Sequence, residues 1–180
     1  MLYNHNEVKK IYKSDYQIKK AIKDGLLYKL DIGVYSDKNI INPLIIFSKK
    51  YASAIVTMNS AFYYYDLTDV IPQKVYLATS SGYRKISNNK IKQIYVPNDI
   101  LKQGKVEVDV DGEKVNMYDK ERLLVELIRK RKQIPFDYYK EIIANYRRIS
   151  NVLDMYKIEE YLSLYKNDAN LSEALIREVF

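Results

Sequence analysis

The chain has 180 residues, a single histidine, His5, and no cysteine. Those counts remove the usual thiolate and imidazole zinc sites, and the lone His5 has no evident catalytic partners. His5 falls in a segment that reads as a frayed terminus. The five glycines are scattered, and none forms a phosphate-cradling loop. Carboxylates crowd one stretch: Glu107, Asp109, Asp111 and Glu113, a cluster of the kind that binds magnesium in a nuclease. Alternation places Glu107, Asp109 and Asp111 on one face of a strand and Val106, Val108 and Val110 on the other. That pattern reads as the polar outer face of a hairpin. Asp109 stands two residues after Glu107, where a metal-dependent nuclease strand would place a lysine. The sequence therefore predicts no enzyme activity, no metal and no other cofactor.

The cations offer more. Thirty Lys and Arg against 23 Asp and Glu give a net charge of +7, which draws polyanions and supplies sequence-independent affinity for phosphates. They fall into three clusters. The first is Lys19, Lys20 and Lys23, with Lys29 a little further on. The second is Arg84, Lys85, Lys90 and Lys92. The third is Arg129-Lys130-Arg131-Lys132, at a predicted helix C-terminus, where the helix dipole favours cations whatever the function.

Elements must position these groups. Val8, Ile11 and Tyr12 give one apolar face to a helix over residues 6–13. Ser14 followed by Gln17 has the spacing of a capping box. A second helix is expected over residues 15–24, burying Ile18, Ala21 and Ile22, with Gly25 as its left-handed cap. Short apolar arms around Asp31-Ile32-Gly33 predict a hairpin. The unit reads as helix, tight turn, helix, β-wing. In a winged helix-turn-helix the second helix lies in the major groove. Ser14, Tyr16 and Gln17 would then face the base edges, and Gln17 can pair bidentately with adenine. Lys19, Lys20, Lys23 and the wing residue Lys29 suit phosphates. Arg84, Lys85 and Lys90, in a polar loop over residues 80–90, would add phosphate contacts from a second domain.

Beyond a polar stretch at residues 37–42, Pro43 opens a helix to residue 50, and Asn59 caps another through residue 65. Strands are expected at 74–79 and 91–96. Asp111-Gly112 then joins strictly alternating arms, a hairpin signal. From residue 119 the pattern is helical: Leu123, Leu124, Leu127 and Ile128 form a stripe with Arg122, Arg129, Lys130, Arg131 and Lys132 around it. Further helices are expected at 136–149, 152–165 and 171–180. The expected fold class is α+β. A small winged helix-turn-helix occupies residues 1–38. A larger mixed domain occupies 39–180, with strands to about 118 and helices after.

At 47% apolar residues, a chain of this length can bury a core without disulfides. The longest apolar run, residues 40–47, contains Asn42 and Pro43 and is too short to cross a bilayer, which takes about 20 residues. With no basic-then-apolar leader, the expectation is a cytoplasmic protein with no membrane partner.

In order and spacing these motifs resemble the AbiEi antitoxins of bacterial abortive-infection (type IV toxin–antitoxin) systems. The family's Gly-Val/Ile-Tyr wing element is matched by Gly33-Val34-Tyr35. The segment running into an acidic residue and a proline is matched by the stretch from Asn59 through Asp66-Leu67-Thr68-Asp69 to Pro72. The next strand is matched by Lys74-Val75-Tyr76-Leu77-Ala78-Thr79, and the strand-to-helix junction by Tyr118-Asp119-Lys120-Glu121-Arg122. The match runs over about residues 6–150. Only five residues precede Asn6, so the family's first helix has no counterpart and the module is abbreviated. The resemblance implies a repressor that binds inverted repeats of double-stranded DNA in its own promoter, where a larger second domain can add contacts between neighbouring repressors. It also implies a genetically paired nucleotidyltransferase toxin, countered without a stable complex. The competing reading is a protein-interaction module that neutralises a toxin by direct binding, using Tyr63-Tyr64-Tyr65 and the C-terminal helices.

Overall fold

The computed structural model describes residues 1–165 and 168–180. They form an α+β protein with two β-sheets. Two compact units can be distinguished: residues 1–53 with the hairpin tip 109–115, and residues 54–108 with 116–180. The first unit thus runs past residue 38 to Ser53.

The first unit opens with strand β1 (Leu2–Asn4) and helix α1 (His5–Tyr12). The expected frayed terminus is ordered because Asn4 caps α1. Its side chain accepts from the Glu7 amide at 3.0 Å, and the Glu7 carboxylate accepts from the Asn4 amide at 2.6 Å. Both halves of a capping box are present here. The Asn4 amide, and behind it the Lys49 ammonium, hold the Glu7 carboxyl below the usual range. Helix α2 (Asp15–Lys23) comes after a one-residue left-handed break at Lys13, φ 60°. Strands β2 (Tyr28–Asp31) and β3 (Val34–Ser36) complete the hairpin, and Gly33 takes φ +77° in its turn. The three strands form an antiparallel sheet in the order β1-β3-β2. Helix α3 (Pro43–Lys50) has proline in its first turn and Asn42 as cap. It ties back through Lys50 to Asp31 at 2.8 Å and Lys49 to Glu7 at 3.4 Å. Val8, Ile18, Ala21, Leu27 and Tyr35 form the core, with Tyr3 and Tyr12 packed against it. His5 Nδ1 lies 3.4 Å from the Tyr35 hydroxyl, an ordered structural position.

The second unit begins with β4 (Ile55–Val56), α4 (Met58–Tyr64), β5 (Val75–Ser80) and β6 (Ile91–Val96). The expected Asn59 cap is displaced: Thr57 occupies the N-cap position, without a side-chain bond. Helix α4 is fixed through Ser60 instead, whose hydroxyl accepts from the Tyr76 amide at 2.9 Å. Strands β7 (Lys105–Val110) and β8 (Glu113–Tyr118) make the Asp-Gly hairpin, with Asp111 at φ 51° and Gly112 at φ 84°. Two consecutive positive φ values are what a type I′ turn requires. The sheet order is β6-β5-β4-β8-β7. Helix α5 (Lys120–Lys130), capped by Asp119, packs against α4, α7 (Met155–Ser163) and α8 (Asp168–Val179). Helix α6 (Phe136–Arg148) packs on α8. Every residue of α5 from Arg122 to Ile128 is buried, so α5 is a central helix and not one with a single apolar stripe. Among the described residues no helix is long and apolar enough to cross a membrane.

Candidate nucleic-acid interface

Helix α2 sorts its side chains by face. Ile18 and Ala21 are buried, each 4% exposed, against α1 and the strands. Ile22, expected inside, sits at the edge at 36% exposure. Tyr16, Gln17, Lys19, Lys20 and Lys23 all point to solvent, Tyr16 at 77%. None of these five side chains makes an ion pair or hydrogen bond among the described residues. Their cationic and amide groups are therefore free for a ligand. Lys29, on β2, is likewise exposed.

Ser14 acts locally. Its hydroxyl accepts from the Gln17 amide at 3.2 Å, but only this half of the expected capping box forms. The Gln17 side chain is left free. The N-cap bond satisfies one of the orphan amides at the start of α2. Ser14→Ala should therefore destabilise the chain by about 1 kcal/mol, while Ser14→Asp should not. Urea unfolding of the two variants measures this, and equal losses would argue against the cap.

Charge reinforces the geometry. Residues 1–53 hold ten lysines against five acids, a net +5 of the chain's +7. Lys9, on α1, pairs with Asp15 at 3.6 Å. Lys10 and Lys13, which the sequence alone did not single out, are exposed beside it. Their signal was present in sequence as three lysines around the inter-helix turn.

Arg84, Lys85 and Lys90 lie in the loop of residues 81–90, in the second unit, and are exposed. That loop is anchored by Gln93 of β6. The Gln93 amide donates to the Arg84 carbonyl at 3.3 Å and to the Thr79 hydroxyl at 2.9 Å, and its oxygen accepts from the Ile86 amide at 2.8 Å. Gln93 thus presents the loop's cations from a fixed backbone, a role invisible in sequence. The two sets of predicted site residues lie in different units.

The fold has a solved counterpart. It is similar to the crystal structure of the RV2827C protein from Mycobacterium tuberculosis, with a TM-score of 0.73 and 13% identity, covering 98% of this chain and 71% of that one. At that identity the likeness concerns the fold alone. No protein-family model and no curated protein matches the chain.

Two members of the third basic cluster, Arg129 and Arg131, are engaged within the fold. Arg131 donates to the Ile128 carbonyl at 2.8 Å, closing the end of α5, and Arg129 pairs with Glu126 at 2.7 Å. Arg122, read from sequence as lying around the apolar stripe, is instead fully buried. Its Nη2 donates to the Tyr165 hydroxyl at 2.7 Å and to Glu126 at 3.1 Å. The rings of Tyr118, Tyr161 and Tyr165 surround its guanidinium at 5.4, 6.0 and 5.4 Å. Their π faces stabilise the cation where hydrogen bonds do not reach Nε and Nη1.

Proposed function

We propose that the chain is a DNA-binding autorepressor and antitoxin of the AbiEi type, with residues 1–38 forming a winged helix-turn-helix. The observation that carries this reading is the outer face of α2. Gln17 stands near the helix N-terminus with its amide unengaged, and Lys19, Lys20 and Lys23 project from the same helix without acidic partners among the described residues. A recognition helix needs that combination of a bidentate reader and phosphate-binding cations. The strand–helix–helix–hairpin order and the β1-β3-β2 sheet support the winged reading, because β2 and β3 form the wing that Lys29 decorates. In this reading the operator is an inverted repeat in the chain's own promoter, the protein self-associates on it, and a paired nucleotidyltransferase toxin is countered without a stable complex.

The test is electrophoretic retardation of the chain's own promoter fragment across a salt series. Log affinity should fall linearly with log salt, and a scrambled fragment should bind more weakly. Equal binding of both fragments would remove sequence-specific repression. Arg84→Ala with Lys85→Ala should lower the steepness of that line by about 1.8, about 0.9 for each lost phosphate contact. It should leave the order of preference among mutated operators unchanged. An altered order would mean that the loop reads bases.

A further inference from the structure

The second unit contains a cleft of about 360 Å³ between β5–β6 and the start of α6, a volume within the range of small-molecule sites. Lys92, Lys130, Asn59, Gln133, Tyr76 and Tyr138 reach into it. None of its lining residues is acidic. Lys92 and Lys130 have no ion-pair partner among the described residues. Lys130 is half-buried; desolvation, with Arg129 adding to it and Glu126 only partly opposing them, holds its ammonium below the ordinary lysine pKa. An ammonium kept partly out of water and incompletely compensated is a cost that a bound anion would relieve.

Two further observations concern the same cleft. The Tyr138 hydroxyl is shielded from solvent and has no hydrogen-bond partner of sound geometry. Burial pushes its pKa up to about 12 against the opposing effect of the neighbouring Thr68, so it remains a proton donor. Met58, in the lining, holds φ +45°, a left-handed conformation costing on the order of 1–3 kcal/mol for a non-glycine residue. Strain of that kind gathers at binding sites. In sequence Lys92 and Lys130 belong to separate basic clusters, and only the fold brings them together.

We infer that this cleft binds a purine mononucleotide. Lys92 and Lys130 meet its phosphate, and Tyr138 donates a hydrogen bond to it. The side-chain amides of Asn59 and Gln133 each offer a donor beside an acceptor, the pairing that an adenine edge accepts. The aromatic faces of Tyr76 and Tyr138 suit a planar base. The inference is independent of DNA binding by the first unit.

Isothermal titration of the full chain with AMP tests it, with adenosine and inorganic phosphate as separate probes. AMP should bind saturably at one site, and each half-molecule at least tenfold more weakly. Lys130→Met, which keeps the packing volume, and Lys92→Ala should each weaken AMP at least tenfold. Tyr138→Phe should weaken it severalfold, and Lys102→Ala, an exposed charge elsewhere, should leave it unchanged. Circular dichroism checks that each variant is folded. If Lys130→Met is not folded, Lys92→Ala and Tyr138→Phe decide. No saturation at millimolar AMP, adenosine binding as tightly as AMP, or an equal loss in Lys102→Ala would overturn the assignment.

Discussion

On the proposed reading, Lys19→Glu with Lys20→Glu should abolish promoter retardation at physiological salt and leave the far-ultraviolet spectrum unchanged. Both side chains are exposed and carry no ion pair among the described residues, so reversing them removes no contact from the core. A duplex laid along α2 loses two phosphate contacts and meets two repulsive charges. Neutral replacement separates these effects. Lys19→Gln with Lys20→Gln removes the contacts alone and should flatten the salt dependence by about 1.8. The charge reversal should cost affinity well beyond that, on the order of 100-fold or more at low salt. Gln17→Ala offers a contrasting signature, with discrimination lost at one operator position by about 1–3 kcal/mol and the salt dependence unchanged. Retardation by the Lys19→Glu, Lys20→Glu variant equal to that of the native chain would remove α2 as the recognition element, whatever else binds DNA.

The parts of the fold and of the candidate interface that are legible in the sequence are those written in local chemistry. Ile18 and Ala21 recur at helical spacing, and the lysines between them must therefore face away. Gly25 and Gly33 stand where the chain takes φ +71° and +77°, and Asp111-Gly112 stands where two successive residues do so. Pro43 opens α3 because its missing amide costs nothing in a first turn. What escaped was settled by partners distant in sequence. Strand β1 is three residues long and exists because Leu2, Tyr3 and Asn4 pair with Ser36, Tyr35 and Val34. A short strand over residues 52–56 is expected from sequence, but the place of β4 at the centre of its sheet, between β5 and β8, is not. Ile22 satisfies the periodicity and still lies at the edge, because α1 and the hairpin cover only part of the α2 stripe. Arg122 is the largest departure. A charged residue beside an apolar stripe reads as surface. Tyr118, Tyr161, Tyr165 and Glu126, which make its burial tolerable, are partly recruited from more than 35 residues away, Tyr165 at a separation of 43.

That buried cluster carries the second large effect. Arg122→Ala should destabilise the chain by about 3–5 kcal/mol, the cost of removing one member of a buried ion pair. The guanidinium bridges α5 to Tyr165, and its stem fills the space beside Gly104. A Cβ at Gly104 would lie 2.6 Å from that of Arg122. Gly104→Ala should therefore be destabilising as well, through overpacking and through its φ of +74°. Glu126 couples the network to pH. Burial alone would raise its pKa, but Arg129, the Tyr165 hydroxyl and Arg122 outweigh burial and leave the carboxyl below its ordinary 4.5. A carboxyl whose folded pKa is depressed stabilises the fold fully above its unfolded pKa, and the contribution is lost as pH falls through the folded value. Native stability should fall on acidification below about pH 4.5, and Arg122→Met, having lost one of the lowering partners, should show a shallower fall. Urea unfolding of Arg122→Met, Glu126→Leu and the double variant completes a cycle. The double variant should be more stable than the sum of the single losses predicts, because removing both charges strands neither. Additive losses, or an Arg122→Ala cost under about 1 kcal/mol, would mean that the tyrosine cage and not the ion pair holds α5 in place.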